Sequence, residues 1–99
     1  MEKLFVYGTL QDPVVQKRVF GRVVTMRHDT LEGFKKGKIK LSSGTYFIAI
    51  PQKGASIDGT VLEATPEEIG LMDEYETSAY ARTKVKLKSG GTAWVYCQP

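Results

Sequence analysis

The stretch that decides the fold is Leu4-Phe5-Val6-Tyr7-Gly8-Thr9-Leu10, close to the start of the chain. Its first four residues form a continuous apolar run, which is typical of a strand buried on both faces. Gly8 interrupts the run, and glycine most easily permits unusual backbone angles or the close approach of another group. The following Gln11-Asp12-Pro13 predicts a turn or the start of a helix. A rigid strand therefore leads into a short loop whose backbone N–H groups are not needed by a sheet.

The loop after this strand has two interpretations. Free backbone N–H groups at a turn bind anions or carboxylates, so the loop is a candidate ligand site. A strand that simply ends at a glycine turn has the same sequence pattern. Residues 4–10 by themselves leave both interpretations open.

The length and composition indicate one ordinary globular domain. The 99 residues suffice for a single core, so we assign residues 1–99 to one domain. Hydrophobic residues make up 41% of the chain, no run reaches the roughly 20 apolar residues of a membrane helix, and the first residues lack a signal-peptide pattern. We therefore expect a cytoplasmic protein without a membrane partner. With one cysteine and one histidine, an internal disulfide is excluded and a zinc site is not expected.

The net charge of +3 is concentrated in two basic segments, residues 35–40 and 82–88. Such segments can bind phosphates in nucleic acids. They are also typical of a solvated sheet face or edge, where lysine prevents aggregation. Neither a recognition helix nor a single-strand-binding motif accompanies the charge. We favour the solvated interpretation and expect no nucleic-acid partner, with binding through Lys84, Lys86, Lys88 and residues 35–40 as the alternative.

Two short helices are predicted. Pro13 suits a first helical position, apolar residues recur at helical spacing up to Phe20, and Gly21 ends the segment. The second helix starts at Thr65-Pro66-Glu67-Glu68, where Thr65 caps and Glu68 closes a capping box. It should run to about Tyr75 or Glu76.

The remaining apolar segments predict a strand-rich fold of class α+β. We expect a small mixed, mostly antiparallel β-barrel of about six strands with two short flanking helices. Asp29-Thr30, Ser42-Ser43-Gly44 and Ser89-Gly90-Gly91 are predicted turns, Pro51 is expected to stop a strand, and residues 52–56 are a predicted loop. The segments with strand character, from which about six strands are expected, are residues 4–7, 22–26, 38–41, 45–50, 57–64, 82–88 and 92–97.

Glu76 is the candidate for acid–base chemistry. Ile69, Met72 and Glu76 share one face of the second predicted helix. If Ile69 and Met72 face the core, Glu76 points inward at the negative pole of the helix, and its pKa should be raised. Those conditions suit a general acid/base. The alternative is a helix that ends before Glu76 and leaves a solvated side chain.

The motifs in their order along the chain resemble the gamma-glutamylcyclotransferase-like family, which includes avirulence-induced-gene-like and gamma-glutamylamine cyclotransferase-like small proteins. The pattern of that family is Tyr-Gly-(Ser/Thr)-Leu, then Leu-x-Asp-x-(Tyr/Phe)-Glu, then Tyr-x-Arg. This chain has Tyr7-Gly8-Thr9-Leu10, Leu71-Met72-Asp73-Glu74-Tyr75-Glu76 and Tyr80-Ala81-Arg82. Further landmarks are Leu31-Glu32-Gly33-Phe34, Tyr46 with Pro51, Ile57-Asp58-Gly59-Thr60-Val61 and Ala93-Trp94-Val95-Tyr96.

The resemblance implies a small mixed β-barrel and a cofactor-independent enzyme. The α-amine of a γ-glutamyl amide attacks its own γ-carbonyl, which yields 5-oxoproline and a free amine or amino acid. The resemblance assigns Glu76 as the catalytic general acid/base and places Tyr80 in the same cavity. It also assigns the glutamyl part of the substrate to the backbone N–H groups of a loop formed by Tyr7, Gly8, Thr9 and Leu10. No metal or nucleotide is required. A non-catalytic module that binds a small amino-acid-like ligand on the same fold is the alternative.

Three positions carry separate expectations. Many family members have glycine after the catalytic glutamate, whereas this chain has Thr77. Since a β-branched residue does not easily adopt a positive φ, the loop should differ in shape. Arg82 either contacts substrate or, as we favour, forms a salt bridge with Asp73 or Glu63. Cys97 is expected to be a small packed side chain.

Overall fold

The computed structural model describes residues 1–99 as a five-stranded sheet with two α-helices. One-turn 3₁₀ helices, Thr9–Gln11 and Thr77–Ala79, follow the first strand and the second α-helix. The predicted α+β class is confirmed. The elements in chain order are β1 Glu2–Val6, α1 Pro13–Phe20, β2 Arg27–Leu41, β3 Gly44–Ala64, α2 Pro66–Glu76, β4 Ala81–Lys86 and β5 Thr92–Cys97.

The sheet is mixed and mostly antiparallel, as predicted, with the order β2-β3-β1-β5-β4. Two antiparallel hairpins, β2–β3 and β4–β5, flank the central β1, which is antiparallel to β3 and parallel to β5. Beyond the end of β1, β3 pairs directly with β5 at Ala49 and Cys97. Because β3 reaches around the end of β1, the sheet curls into a half-barrel.

The central strand β1 is buried on both faces, which confirms its prediction from the apolar run. Side chains alternate across a strand, so Leu4 and Val6 pack with the helices while Phe5 and Tyr7 enter a second cluster. Leu4 and Phe5 are both 0% exposed. The two faces of this strand and of Tyr7 directly after it therefore contribute to both halves of the core.

The structure has five strands where about six were predicted, because two of them are much longer than expected. The predicted turn at Asp29-Thr30 lies within the 15-residue β2, and the predicted loop 52–56 lies within the 21-residue β3. Pro51 does not stop β3. The register shifts between the pairs Glu32–Ser56 and Phe34–Pro51, so the irregularity begins directly after Pro51. A β-bulge is a place where a strand tolerates a proline.

Residues 22–26 were predicted as a strand and are irregular in the structure. The segment instead links α1 to β2, and its central Val24 is buried. The Val24 N–H donates to Oε1 of the buried Gln16 at 3.1 Å. A side chain therefore satisfies the backbone group that a neighbouring strand would otherwise have paired.

Both helices form where their end signals predict. Asp12 accepts the Val14 N–H at 2.9 Å at the start of α1, and Gly21 ends that helix with φ 83°. Thr65 and Glu68 form the predicted capping box of α2. Neither helix has the length and apolar character that crossing a lipid bilayer requires.

Candidate active site

A cavity of about 710 Å³ opens where β1 ends. Three parts of the chain form most of its wall: the segment that continues β1, the end of α2 with the residues after it, and the turn of the β2–β3 hairpin. The sequence-predicted site residues Tyr7, Gly8, Thr9, Leu10, Glu76 and Tyr80 all line this cavity.

Tyr7 contributes to the wall while its hydroxyl is committed to the sheet. The hydroxyl donates to the carbonyl oxygen of Tyr96 and accepts the Ala49 N–H at 2.9 Å. These partners belong to β5 and β3, so the phenol bridges the two strands just beyond β1. Burial raises the pKa of Tyr7 above its usual value, which keeps the hydroxyl neutral. Tyr7 thus shapes the cavity floor and is not available as a proton donor.

Gly8 presents an unpaired backbone amide at the cavity. Its N–H donates to no group of the chain, while its carbonyl accepts the Gln11 N–H at 3.1 Å. A Cβ built on Gly8 would meet no atom within 4 Å, and its φ of −130° is not left-handed. The structure therefore leaves open space beside the free donor at Gly8.

Thr9 joins the loop to α2. Its hydroxyl is hydrogen-bonded to the hydroxyl of Tyr75 at 2.8 Å, whereas the neighbouring Leu10 is buried in the core. The segment after β1 is therefore held in place by the burial of Leu10 and by the hydrogen bond of Thr9 to Tyr75, the residue before Glu76.

Glu76 is the last residue of α2 and the only acidic residue that lines the cavity. Ile69 and Met72, on the same helix face, are buried, so the helix continues to Glu76 and directs it inward as expected. The carboxylate forms no hydrogen bond or ion pair within the chain, and burial raises the pKa of Glu76 to about 7. At neutral pH it therefore both accepts and releases a proton readily.

Thr77 adopts the positive φ that was not expected of it. Its φ is 62° and its ψ is −173°, and it is the chain's only residue other than glycine with a positive φ. This combination is strained for any residue with a Cβ. The premise that threonine does not adopt a positive φ here was wrong, because Thr77 adopts it under strain directly after Glu76. A difference in loop shape from family members with glycine at this position stays a prediction.

Tyr80 connects the segment after Glu76 to the hairpin. Its hydroxyl donates to the carbonyl oxygen of Phe47 at 2.7 Å. Burial, with a smaller effect of the Glu76 charge, raises the pKa of Tyr80 to about 12. The phenol is therefore neutral, and its hydrogen bond joins the segment after Glu76 to β3.

Arg82 is paired with Asp73, one of the two partners that we favoured. Nε and an Nη of the guanidinium contact the two carboxylate oxygens of Asp73 at 2.9 and 3.2 Å. The Tyr96 hydroxyl donates to Asp73 Oδ1 at 2.6 Å. Asp73 lies one helical turn before Glu76, so this network anchors the end of α2 to β4 and β5. Arg82 does not line the cavity.

The hairpin wall was missed by the sequence analysis. Tyr46 was noted only as a landmark, and Tyr75 and Tyr96 were noted within motifs without a role. No local pattern ties residues 38–47 to a site near the start of the chain, because only the pairing of β3 with β1 and β5 brings them together. The additional lining residues include Lys38, Ser43, Tyr46, Phe47, Tyr75 and Tyr96.

Apart from Lys38, the other residues considered from the sequence lie outside the cavity. Cys97 is buried and its Sγ lies 3.5 Å from the Ala81 carbonyl oxygen, as expected for a packed side chain. The two basic segments lie on β2 and β4, which are the two edge strands of the sheet. His, Cys, Asp and Glu side chains nowhere gather in groups of three or more that could hold a metal ion.

Comparison with known proteins supports the resemblance that the motifs indicated. The family model for gamma-glutamyl cyclotransferase, AIG2-like, matches residues 4–99. The chain belongs to this family. AIG2-like protein C of Arabidopsis thaliana is 33% identical over 85 residues, which are 85% of this chain and 48% of the relative. AIG2-like protein D of the same plant is 32% identical over 88 residues, 88% of this chain and 57% of the relative.

Solved structures of similar proteins share the fold of this AIG2-like chain. A solution structure of an Arabidopsis thaliana protein superposes with a TM-score of 0.85 at 25% identity, covering 98% of this chain and 68% of that one. A gamma-glutamyl cyclotransferase superposes with a TM-score of 0.80 at 16% identity, covering 99% and 66%. The second likeness shows the fold alone. The chain spans about half the length of the curated relatives it matches.

Proposed function

We propose that this chain cyclises a γ-glutamyl amide to 5-oxoproline and releases an amine or amino acid, with Glu76 as the general acid/base. The observation that carries the proposal is the environment of the Glu76 carboxylate. The carboxylate is desolvated and lacks a hydrogen-bonding partner, its pKa is about 7, and it faces the same cavity as the Gly8 amide. Membership of the gamma-glutamyl cyclotransferase, AIG2-like family supports the reaction class.

The proton transfers require one group that both accepts and donates. The α-ammonium of the substrate first gives a proton to Glu76, and the free amine then attacks the γ-carbonyl carbon. When the bond to the leaving nitrogen breaks, Glu76 returns this proton to that nitrogen. The attacking nitrogen loses a second proton as the lactam forms, and the released amine takes it up and leaves as an ammonium. No net proton or water is consumed. A pKa close to the working pH serves both steps, because the driving force is then nearly balanced in each direction.

The loop after β1 supplies what the carboxylate does not. Negative charge develops on the γ-carbonyl oxygen during attack, and fixed backbone N–H groups stabilise it without reorganisation. The unpaired amide of Gly8 is one such donor at the cavity, and the absence of a side chain allows close approach. Since the attack is intramolecular, holding the glutamyl chain in a folded shape provides much of the rate.

The test is the identity of the products. Purified protein is incubated with γ-glutamyl amino acids and γ-glutamylamines, and 5-oxoproline, glutamate and the free amine are quantified. Cyclisation predicts 5-oxoproline and amine in equal amounts and no glutamate. Glutamate in place of 5-oxoproline would mean that water is the nucleophile, which would replace the proposal with an amidase. Binding of these compounds without any product would replace it with the non-catalytic module.

A further inference from the structure

Lys38 is the only cationic side chain that lines the cavity. Lys38 lies in β2 and is exposed. Its side-chain ammonium forms neither an ion pair nor a hydrogen bond with another residue of the chain. Lys36, two residues earlier, instead lies over the Phe47 ring at 4.7 Å from its centroid. Among the hairpin lysines, Lys38 therefore combines access to the cavity with a free charge.

The register of the hairpin sets Lys38 opposite Phe47, another residue of the cavity wall. Lys38 is the cross-strand partner of Phe47, and directly opposed residues of an antiparallel pair have Cα atoms about 5 Å apart. The carbonyl oxygen of Phe47 accepts a hydrogen bond from the Tyr80 hydroxyl, and the charge of Glu76 contributes to the raised pKa of Tyr80. Lys38 and Glu76 thus line the same cavity from two different walls.

The charges of the cavity and of the proposed substrates leave one group to be matched. In a γ-glutamyl amino acid, Glu76 faces the α-ammonium, and the loop after β1, to which the family resemblance assigns the glutamyl part, faces the glutamyl carboxylate. The second carboxylate, on the leaving amino acid, has no partner in the loop. Lys38 is the single remaining charge, and it belongs to the hairpin wall, a different part of the chain from the loop and from α2. An ammonium pairs with a carboxylate at the cavity mouth and leaves a neutral amine unmatched.

We propose that Lys38 binds the carboxylate of the leaving group and thereby selects γ-glutamyl amino acids over γ-glutamylamines without a carboxylate. The inference rests on the proposed cyclisation. It names the substrate class of the same cavity and makes Lys38 its specificity-determining residue.

A matched pair of substrates isolates this interaction. γ-Glutamyl-alanine and γ-glutamyl-ethylamine differ only in the carboxylate of the leaving group. A hydrogen-bonded charge pair at a partly solvated position predicts that the protein prefers γ-glutamyl-alanine by about 10-fold in kcat/KM. Lys38→Gln should remove this preference by lowering kcat/KM for γ-glutamyl-alanine alone, and Lys38→Arg should keep it. Lys40→Gln, an exposed neighbour outside the cavity, controls for the loss of one positive charge and should behave as the unmodified protein does.

Each other result has a defined meaning. Equal kcat/KM of the unmodified protein for the two substrates would overturn the assignment of Lys38 and leave the cyclisation intact. An equal loss for both substrates in Lys38→Gln would overturn it as well, because Lys38 would then hold the glutamyl carboxylate shared by both. The absence of 5-oxoproline from either substrate would overturn the proposed function and this inference with it.

Discussion

The hydroxyl of Tyr80 donates a hydrogen bond to the carbonyl oxygen of Phe47 at 2.7 Å, which ties the segment after Glu76 to the hairpin wall. Tyr80→Phe removes this bond and keeps the ring. A neutral hydrogen bond contributes about 0.5–1.5 kcal/mol, so kcat/KM should fall about 2- to 10-fold and amide hydrogen exchange should accelerate across residues 38–47. Unchanged exchange in the hairpin together with full activity would show that the bond does not hold the wall in place.

The raised pKa of Glu76 makes stability depend on pH. Its folded-state pKa of about 7 exceeds the reference value of 4.5, so the folded protein holds the proton more tightly than the unfolded chain does. The contribution of Glu76 to the free energy of unfolding is then greatest below pH 4.5 and falls as the pH rises through 7, by up to about 3 kcal/mol. Glu76→Gln should therefore stabilise the protein at pH 8 and change little at pH 4, as measured by urea unfolding at both pH values. A stability difference that is the same at both values would contradict burial of the carboxylate.

The strain at Thr77 predicts a stabilising substitution. At φ 62° and ψ −173°, backbone strain in a residue with a Cβ lowers the free energy of unfolding by roughly 1–3 kcal/mol. Glycine adopts these angles without strain, but its greater freedom in the unfolded chain lowers the free energy of unfolding by about 0.4–1 kcal/mol. Thr77→Gly should thus stabilise by about 1 kcal/mol and raise Tm by about 4 °C. Ser78→Gly, at a position without positive φ, should destabilise. If both variants lowered Tm alike, the left-handed turn after Glu76 would not be present in solution.

Two glycines should separate activity from stability. A Cβ at Gly59 would lie 2.5 Å from the Val6 carbonyl oxygen and 2.7 Å from Phe5 Cζ, so Gly59→Ala should destabilise by about 1–3 kcal/mol. A Cβ at Gly8 would meet no protein atom. Gly8→Ala should therefore keep the Tm and lower kcat/KM by obstructing the substrate. A Gly8→Ala protein with unchanged kinetics would show that the substrate does not approach this amide.

Much of the fold could be predicted from local patterns because local forces determine those parts. The cap residues Asp12 and Thr65 fix the starts of both helices, and the apolar run from Leu4 predicts the central strand. The lengths of β2 and β3 could not be predicted in this way. A proline normally ends a strand, and Pro51 is tolerated here next to an irregularity in which residues 52–55 of β3 lie opposite the single Gly33 of β2. Such a compensation depends on pairing between residues far apart in sequence.

The candidate site likewise combines residues that local patterns predict with residues that only long-range strand pairing brings into place. Helical spacing placed Glu76 on the core face of α2, and the loop after β1 could be identified from its glycine. The hairpin wall with Lys38 and Phe47 could not be predicted from the sequence, since it reaches the cavity only through the pairing of β3 around the end of β1. The backbone angle at Thr77 was mispredicted because a propensity argument ignores strain that the surrounding structure enforces.

The most direct measurement is the release of 5-oxoproline by Glu76→Gln beside Glu74→Gln. Both substitutions remove one carboxylate from α2, but Glu74 is exposed and does not line the cavity. With substrate binding verified by calorimetry, the account predicts that Glu76→Gln binds a γ-glutamyl amide and forms 5-oxoproline at least about 100-fold more slowly, while Glu74→Gln retains full turnover. Full turnover by Glu76→Gln would contradict the assignment of Glu76 as the general acid/base.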